Sequence, residues 1–351
     1  MFKLVDFFCG AGGMSCGFSQ AGVTILAGID VEAKFKDTYE INNPGAKFIK
    51  QDIIHYQPLQ LQEELSLKRF DDKLIFIGCS PCQYWSKINT IRRHSVATSN
   101  LLLDFQRFIK HFMPGHVVVE NVPGLLKSDN NHVLLSFLDF LNFNGYKYKY
   151  RIVRTDHYGV PQKRRRFVLI ASRVARKINF PEPTYDPNLI VRKYIGEHNG
   201  FARIPAGHND QSDVMHTTSA LSEKNLRRLQ QTPTDGGSRN SWKDDDDLQI
   251  QAYKGKDGDK IFKSIYGRLF WDKPSPTITT RFIATSCGRF GHPEEDRGLS
   301  IREGATLQTF PPNFKFVGGL VSVAKQIGNA VPPEMARRIA ESIKQSIDDN
   351  I

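Results

Sequence analysis

The feature that most constrains this chain is the alternation of apolar strand-like runs with helix-like segments through its first half. "KLVDFF" (3–8), "TILAGID" (24–30), "KLIFIG" (73–78) and "HVVVENV" (116–122) read as strands, the last two as buried ones. Between and after them, "EAKFKDTYEINN", "LLLDFQRFIKHF" (101–112) and "HVLLSFLDFLNF" (132–143) read as helices. Alternation of this kind builds an α/β fold on a doubly wound, mostly parallel sheet. "YKYRIVRT" (148–155) and "RRFVLIAS" (165–172) read as an antiparallel pair around "DHYGVPQK". From about Pro181 the texture changes to scattered Pro and Gly and the loop-like "TPTDGGSRNSWKDDDD", which marks a domain boundary. The segment "PPEMARRIAESIKQSI" (332–347) reads as an amphipathic helix with Pro in its first turn.

At 351 residues and 40% hydrophobic content the chain can form two globular domains, or one large one with an insertion. A net charge of +11 favours a polyanionic partner, nucleic acid before membrane. No run of about eighteen apolar residues is present, so no helix is expected to span a bilayer. The start, "MFKLVDFFCG", leads straight into a strand without a signal peptide. Five cysteines, an odd number, argue for a reducing compartment over a disulfide framework. The acidic run Asp244–Asp247 reads as a solvated loop rather than a metal site, since adjacent carboxylates rarely converge on one ion.

"DFFCGAGGMSCGF" places Asp6 at a strand end, followed by Gly10, Gly12, Gly13 and Gly17. Glycines there let the backbone turn tightly and approach a ligand at the carboxyl edge of a parallel sheet. The spacing is not G-x-G-x-x-G and no Lys-Ser/Thr follows, which disfavours a phosphate-binding P-loop. Acids recur at later strand ends: Asp30 and Glu32, then Asp52. An acid after the second strand suits ribose hydroxyls and one after the third suits an adenine amino group. The ordered set points to an adenosine ligand without a phosphate chain.

"GCSPCQYWS" (78–86) contains Cys79 and Cys82 at C-x-x-C spacing. A redox pair normally opens a helix, but Pro81 biases Ser80 away from helix. A zinc site needs two further ligands at short spacing, and no second C-x-x-C exists. A nucleophile in a loop after a buried strand fits better: Cys82 is then the working thiol, with Gln83 beside it. The next buried strand ends in "VENV", putting Glu120 at the same sheet edge, where an acid after an apolar run needs a partner or a function. Residues 151–180 then carry nine Lys/Arg against one acid, Asp156. Within "GVPQKRRRF", Arg164 and Arg166 share one strand face and Arg165 takes the other.

With these segments in hand, the chain resembles the DNA (cytosine-5) methyltransferases. "DFFCGAGG", "GIDVE", "QDI", "GCSPCQYWS", "VVVENVPGLL", "GVPQKRRRFVLIA", "KPSPTITTR" and "QIGNAVPP" stand in the family's order, covering 3–172 and 273–333. The resemblance implies a bacterial modification-type enzyme that moves a methyl group from S-adenosylmethionine to C5 of a cytosine flipped out of duplex DNA. Its products are 5-methylcytosine and S-adenosylhomocysteine, and it needs no metal. It implies that Cys82 attacks C6, that Glu120 holds and protonates N3, that Arg164 orients the flipped base, and that Arg166 helps to hold the active-site loop, with Gln83 a catalytic-site residue able to donate and accept hydrogen bonds. Asp6, Phe8, Cys9, Gly10, Ala11, Gly12, Gly13, Asp30, Val31, Asp52, Ile53, Pro81, Leu101, Asn329 and Ala330 match the cofactor site. Ser86 and Gln162 match DNA-contacting positions, and Arg239, Lys254, Arg268 and Arg281 are DNA candidates by chemistry. Ser80 stands where the family usually has Pro, Tyr84 replaces a small residue, and "QDI" replaces the usual Gly-Asp. Cys79 has no family role and reads as a small buried filler.

The resemblance also divides the chain. Residues 1–180 with 315–351 are expected to form the Rossmann-like catalytic and cofactor-binding domain. Residues 181–314 are expected to form a smaller target-recognition domain and hinge. The expected partner is double-stranded DNA, with a cognate restriction endonuclease acting separately, and the enzyme is expected to be a cytoplasmic, nucleoid-associated monomer. The alternative within the same catalytic fold is a tRNA cytosine-5 methyltransferase. The hundred or so residues between "FVLIAS" and "KPSPTITT" favour a DNA-reading domain over that alternative's short insert.

Overall fold

The computed structural model describes residues 1–80, 101–126, 131–250 and 264–349. Cys82, with Pro81, Gln83, Tyr84, Ser86 and Lys254, lies outside the described residues. The chain divides into two compact units: 1–158 with 165–184 and 331–351, and 159–164 with 185–330.

The first unit is built on a seven-stranded sheet in the order β3-β2-β1-β4-β5-β8-β6. Its strands are β1 (Lys3–Phe7), β2 (Thr24–Asp30), β3 (Lys47–Lys50), β4 (Leu74–Gly78), β5 (His116–Asn121), β6 (Lys147–Arg154) and β8 (Arg165–Ser172). The first five are parallel, as their buried apolar runs require, and β8 enters antiparallel between β5 and β6. Strands β2 and β3 are added on one side of β1, and β4 and β5 on the other, so the winding switches side at β1. Its helices are α1 (Gly13–Gln20), α2 (Lys36–Asn42), α3 (Pro58–Leu65), α4 (Leu101–Phe112), α5 (Asn131–Phe143) and α9 (Pro333–Asp348).

Side-chain parity divides the sheet cleanly. Val5, Phe7, Phe76, Val117, Val119, Phe167 and Leu169 point to one face and form the main core with α4 and α5. Asp6, Gly28, Ile77, Val118, Glu120 and Val168 are their alternates and share the other face. The amphipathic segment expected at 332–347 is helix α9, and it packs against α1. That contact depends on Gly17: a Cβ there would meet Pro333 O at 2.2 Å and Ala336 Cβ at 2.5 Å. Gly17→Ala is therefore expected to destabilise the first unit by about 1–3 kcal/mol through overpacking, read as a lowered midpoint of chemical unfolding.

The second unit contains the short strand pair β7 (Gln162–Lys163) and β9 (Ser275–Pro276), with helices α6 (Glu223–Gln230), α7 (Ile301–Leu307) and α8 (Leu320–Asn329). It is bounded at 184/185 and 330/331 and also takes in 159–164. Within it, Gln308 donates to Ile327 O at 2.6 Å, and Arg164 donates to Gly328 O at 3.1 Å. These bonds tie 315–330, and the short piece 159–164, into this unit. Charged groups fill part of its interior. Arg297 forks onto Glu303 at 2.7 and 2.9 Å, holding that buried carboxyl down to about 2 despite the opposing effect of burial.

Candidate active site

The glycine turn after β1 is tightly specified. Gly10 and Gly12 have φ of +52° and +90°, and Phe8 itself lies at 61°, a costly conformation for a bulky side chain. Asp30 at the end of β2 fixes the turn: its Oδ2 accepts from Gly10 N and its Oδ1 from Glu32 N, both at 2.9 Å. A carboxylate offers about four acceptor sites, so Asp30 retains capacity for hydroxyl donors. Val31 beside it is 60% exposed, a flat apolar surface at the sheet edge. Asp52 accepts from Ile54 N at 3.0 Å, and Ile53 is buried. Arg107 of α4 donates to Ile53 O at 2.5 Å and Ile54 O at 3.1 Å, clamping this loop. Leu101 is buried at the start of α4.

Asp6 lies under the turn, fully buried. Ser15 of α1 donates to its Oδ2 at 2.7 Å, and the Ser15 hydroxyl is also 2.9 Å from the Tyr39 hydroxyl. Its Oδ1 is buried without a hydrogen-bond partner. Burial pushes the Asp6 carboxyl up to about 7, only partly offset by Ser15. A ligand ammonium would relieve that cost, so the orphaned oxygen fits an amino-acid group such as that of S-adenosylmethionine. The fit extends along the sheet edge through Gly10, Gly12, Asp30, Val31 and Asp52.

Glu120 is buried near the end of β5, and Arg166 of β8 places its Nε 2.7 Å from Glu120 Oε1. The hydrogen-bond alignment at that oxygen is poor, so the contact is an ion pair rather than an aligned bond. Cys79 is partly exposed; burial first, then the Glu120 carboxylate, push its thiol well up. A thiol so disfavoured as thiolate makes a poor nucleophile. Asn121, the next residue of β5, donates to Ser80 Oγ at 3.0 Å, two positions before Cys82 in the sequence.

Several expected site residues stand elsewhere. Arg164 belongs to the second unit and is buried there, where Nη1 donates to Ile278 O and Gly328 O at 3.0 and 3.1 Å. The alternation that puts Arg164 and Arg166 on one face holds for a continuous strand, but β8 begins at Arg165. Gln162 is fully buried and bonds Gln308 at 2.8 Å and Ile278 N at 2.9 Å, so it is a structural bracket and not a DNA contact. Arg239 is buried in the turn Arg239–Trp242. Arg268 is 2% exposed and donates to Thr232 O, Leu229 O, His292 O and Glu295 O as well as pairing with Asp296. A base edge is out of reach of either side chain. Arg268→Ala is expected to cost at least about 3 kcal/mol of stability, because it orphans several buried carbonyls at about 1–3 kcal/mol each. Equilibrium unfolding in urea measures that loss. Arg281 alone of the described DNA candidates is exposed. Asn329 and Ala330 close helix α8 in the second unit.

The residues that sequence reading missed are Ser15, Tyr39, Arg107 and Asn121. Tyr39 and Arg107 fall in segments read only as helices, and Ser15 in the glycine-rich segment; only long-range contacts reveal their roles. Asn121 carried a signal, an amide at the end of an apolar strand, where it needs a partner.

No helix among the described residues is long and apolar enough to cross a membrane. The model for C-5 cytosine-specific DNA methylases matches residues 2–345. The type II methylase M.HgiDII of Herpetosiphon aurantiacus is 37% identical over 351 residues, covering 98% of this chain and 96% of that protein. The type II methyltransferase M1.HphI of Haemophilus parahaemolyticus is 31% identical, covering 97% of this chain and 86% of that one. Among solved structures, a candidate DNA modification methyltransferase encoded in an E. coli prophage superposes with a TM-score of 0.77 at 19% identity, covering 99% and 100% of the two chains. That last likeness concerns the fold alone. The family match spans almost the whole chain: it belongs to the C-5 cytosine-specific DNA methylases and is a DNA (cytosine-5-)-methyltransferase.

Proposed function

We propose that this enzyme methylates C5 of a cytosine rotated out of a specific duplex DNA sequence, as a type II modification methyltransferase. The observation that carries the reading is the Glu120–Arg166 pair at the carboxyl edge of the sheet. It stands on the same sheet face as Asp6 and next to the segment that leads into Cys82. S-adenosylmethionine, the family's methyl donor, supplies an electrophilic methyl group on a sulfonium. Asp6 would hold its amino group, Asp30 its ribose hydroxyls, and Asp52 with Val31 and Ile53 its adenine.

Cys82 Sγ bonds to C6 of the cytosine, which moves electron density to C5, the atom that is methylated. Glu120 holds N3 and gives it a proton, so charge does not accumulate on the ring. Arg166, rather than Arg164, orients Glu120 and the base. Loss of the C5 proton to a base, cleavage of the Cys82–C6 bond and return of the N3 proton to Glu120 then restore the aromatic ring and release the Cys82 thiolate.

The second unit reads the target sequence, with Arg281 as an exposed cation there. The type II names of the relatives support a cognate restriction endonuclease acting on the same cytoplasmic DNA. Methyl transfer to duplex DNA and to tRNA, measured side by side, tests the reading. Labelling of duplex DNA is expected, with bisulfite sequencing of an expressing host showing protected cytosines in one sequence context. Labelling confined to tRNA would end it.

A further inference from the structure

Strand β6 reads KYKYRIVR and carries four cations and no acid. It is the outermost strand on its side of the sheet. Lys147, Lys149 and Arg151 are alternate residues, so they share one face, and all three are exposed. Their face is that of Glu120: Arg151 is paired with Val168, and Val168 with Glu120. Two strand spacings put Arg151 level with Glu120 and about 10 Å from it. From there the cations run away along the strand, with exposed Lys177 on the following segment. Among the described residues, no carboxylate forms an ion pair with Lys147, Lys149, Arg151 or Lys177. Lys147 donates to Arg176 O at 2.7 Å, and Arg151 lies over the Phe180 ring at 5.1 Å, contacts that position the cations without neutralising them.

We propose that Lys147, Lys149 and Arg151 form a track for the phosphate backbone of duplex DNA flanking the methylated cytosine. The spacing suits it. Alternate residues on a strand recur about every 6.8 Å, and each DNA strand carries a phosphate about every 3.4 Å of axis, so each cation can meet a separate phosphate. A lysine on an edge strand also guards against pairing with another chain, but one charge suffices for that, whereas here every exposed position on this face is cationic. The inference rests on DNA being the substrate.

Non-specific binding tests it, since that is carried by phosphate contacts and needs no recognition sequence. The probe is a fluorescent random-sequence duplex several helical turns long, titrated with the full chain at a series of salt concentrations. The triple variant Lys147→Gln/Lys149→Gln/Arg151→Gln is expected to flatten the slope of log K against log salt by about 2.7, from about 0.9 per phosphate contact. Between 50 and 200 mM salt the parent then loses about 40-fold more affinity than the variant. The charge-keeping variant Lys147→Arg/Lys149→Arg is expected to retain the parent slope. A triple variant that unfolds with the parent's midpoint and keeps the parent's slope overturns the proposal, and self-association with that same slope would identify the cations as edge guards. If the triple variant does not fold, Lys149→Gln alone must still flatten the slope by about 0.9; an unchanged slope overturns the proposal. Should the parent itself bind no duplex, the DNA reading fails, and not merely this surface.

Discussion

Cys82→Ser is expected to abolish methyl transfer while leaving duplex binding intact, and Cys79→Ser is expected to be nearly silent. A serine hydroxyl ionises far less readily than a thiol, so the variant lacks the anion that adds to C6. Binding survives because phosphate contacts, not the nucleophile, carry affinity. The two cysteines lie three positions apart. Cys79 sits against the Glu120 carboxylate, and burial together with that charge keeps it a thiol. Transfer of a labelled methyl group, beside a mobility-shift assay, distinguishes the outcomes. Equal loss of activity in both variants would show that the nucleophile has been assigned to the wrong chemistry.

Glu120→Gln is expected to lower kcat by about 10²- to 10⁴-fold, the range for losing a positioned acid-base group. The amide keeps the size of the side chain but cannot give N3 a proton. The neighbouring arginines make a sharper comparison. Arg166→Ala removes the cation 2.7 Å from Glu120 and should lower kcat with little change in unfolding midpoint. Arg164→Ala leaves the carbonyls of Ile278 and Gly328 short of a donor, so it should cost about 1–3 kcal/mol of stability for each. A stable but inactive Arg164→Ala enzyme would return the base-orienting role to Arg164.

The sheet was legible because four of its five parallel strands announce themselves as apolar runs; β3, with a lysine at each end of only four residues, does not. The acids at strand ends were legible too, since Asp6, Asp30 and Glu120 each follow apolar residues that cannot satisfy them. What could not be read was which arginine meets which unit. Side-chain alternation relates Arg164 to Arg166 only along a continuous strand, whereas β8 begins at Arg165 and bonds to residues more than a hundred positions away hold Arg164. Arg268 misleads for a related reason. A guanidinium carries five donors, and backbone carbonyls folded around it can satisfy them all, so the same side chain serves a phosphate outside or a loop inside. Sequence gives the charge and not the loops that enclose it. Ser15 with Tyr39 makes the same point within the cofactor turn: the hydroxyls meet only after α1 and α2 have docked.

Gly17 also governs the order of events during synthesis. Its bare backbone receives helix α9, the last helix of the chain, and Lys344 of that helix donates to Ala21 O at 2.8 Å. Met335, Ala336, Ile339 and Ile343 are buried in the finished protein. A ribosome adding about 5–20 residues per second therefore exposes α1 long before its cover exists. The amino-terminal unit cannot close as it emerges, and the entire second unit is translated in the interval. A nascent chain halted before residue 331 should hold the apolar side of α1 open to chaperones, and docking of α9 is the step that covers it.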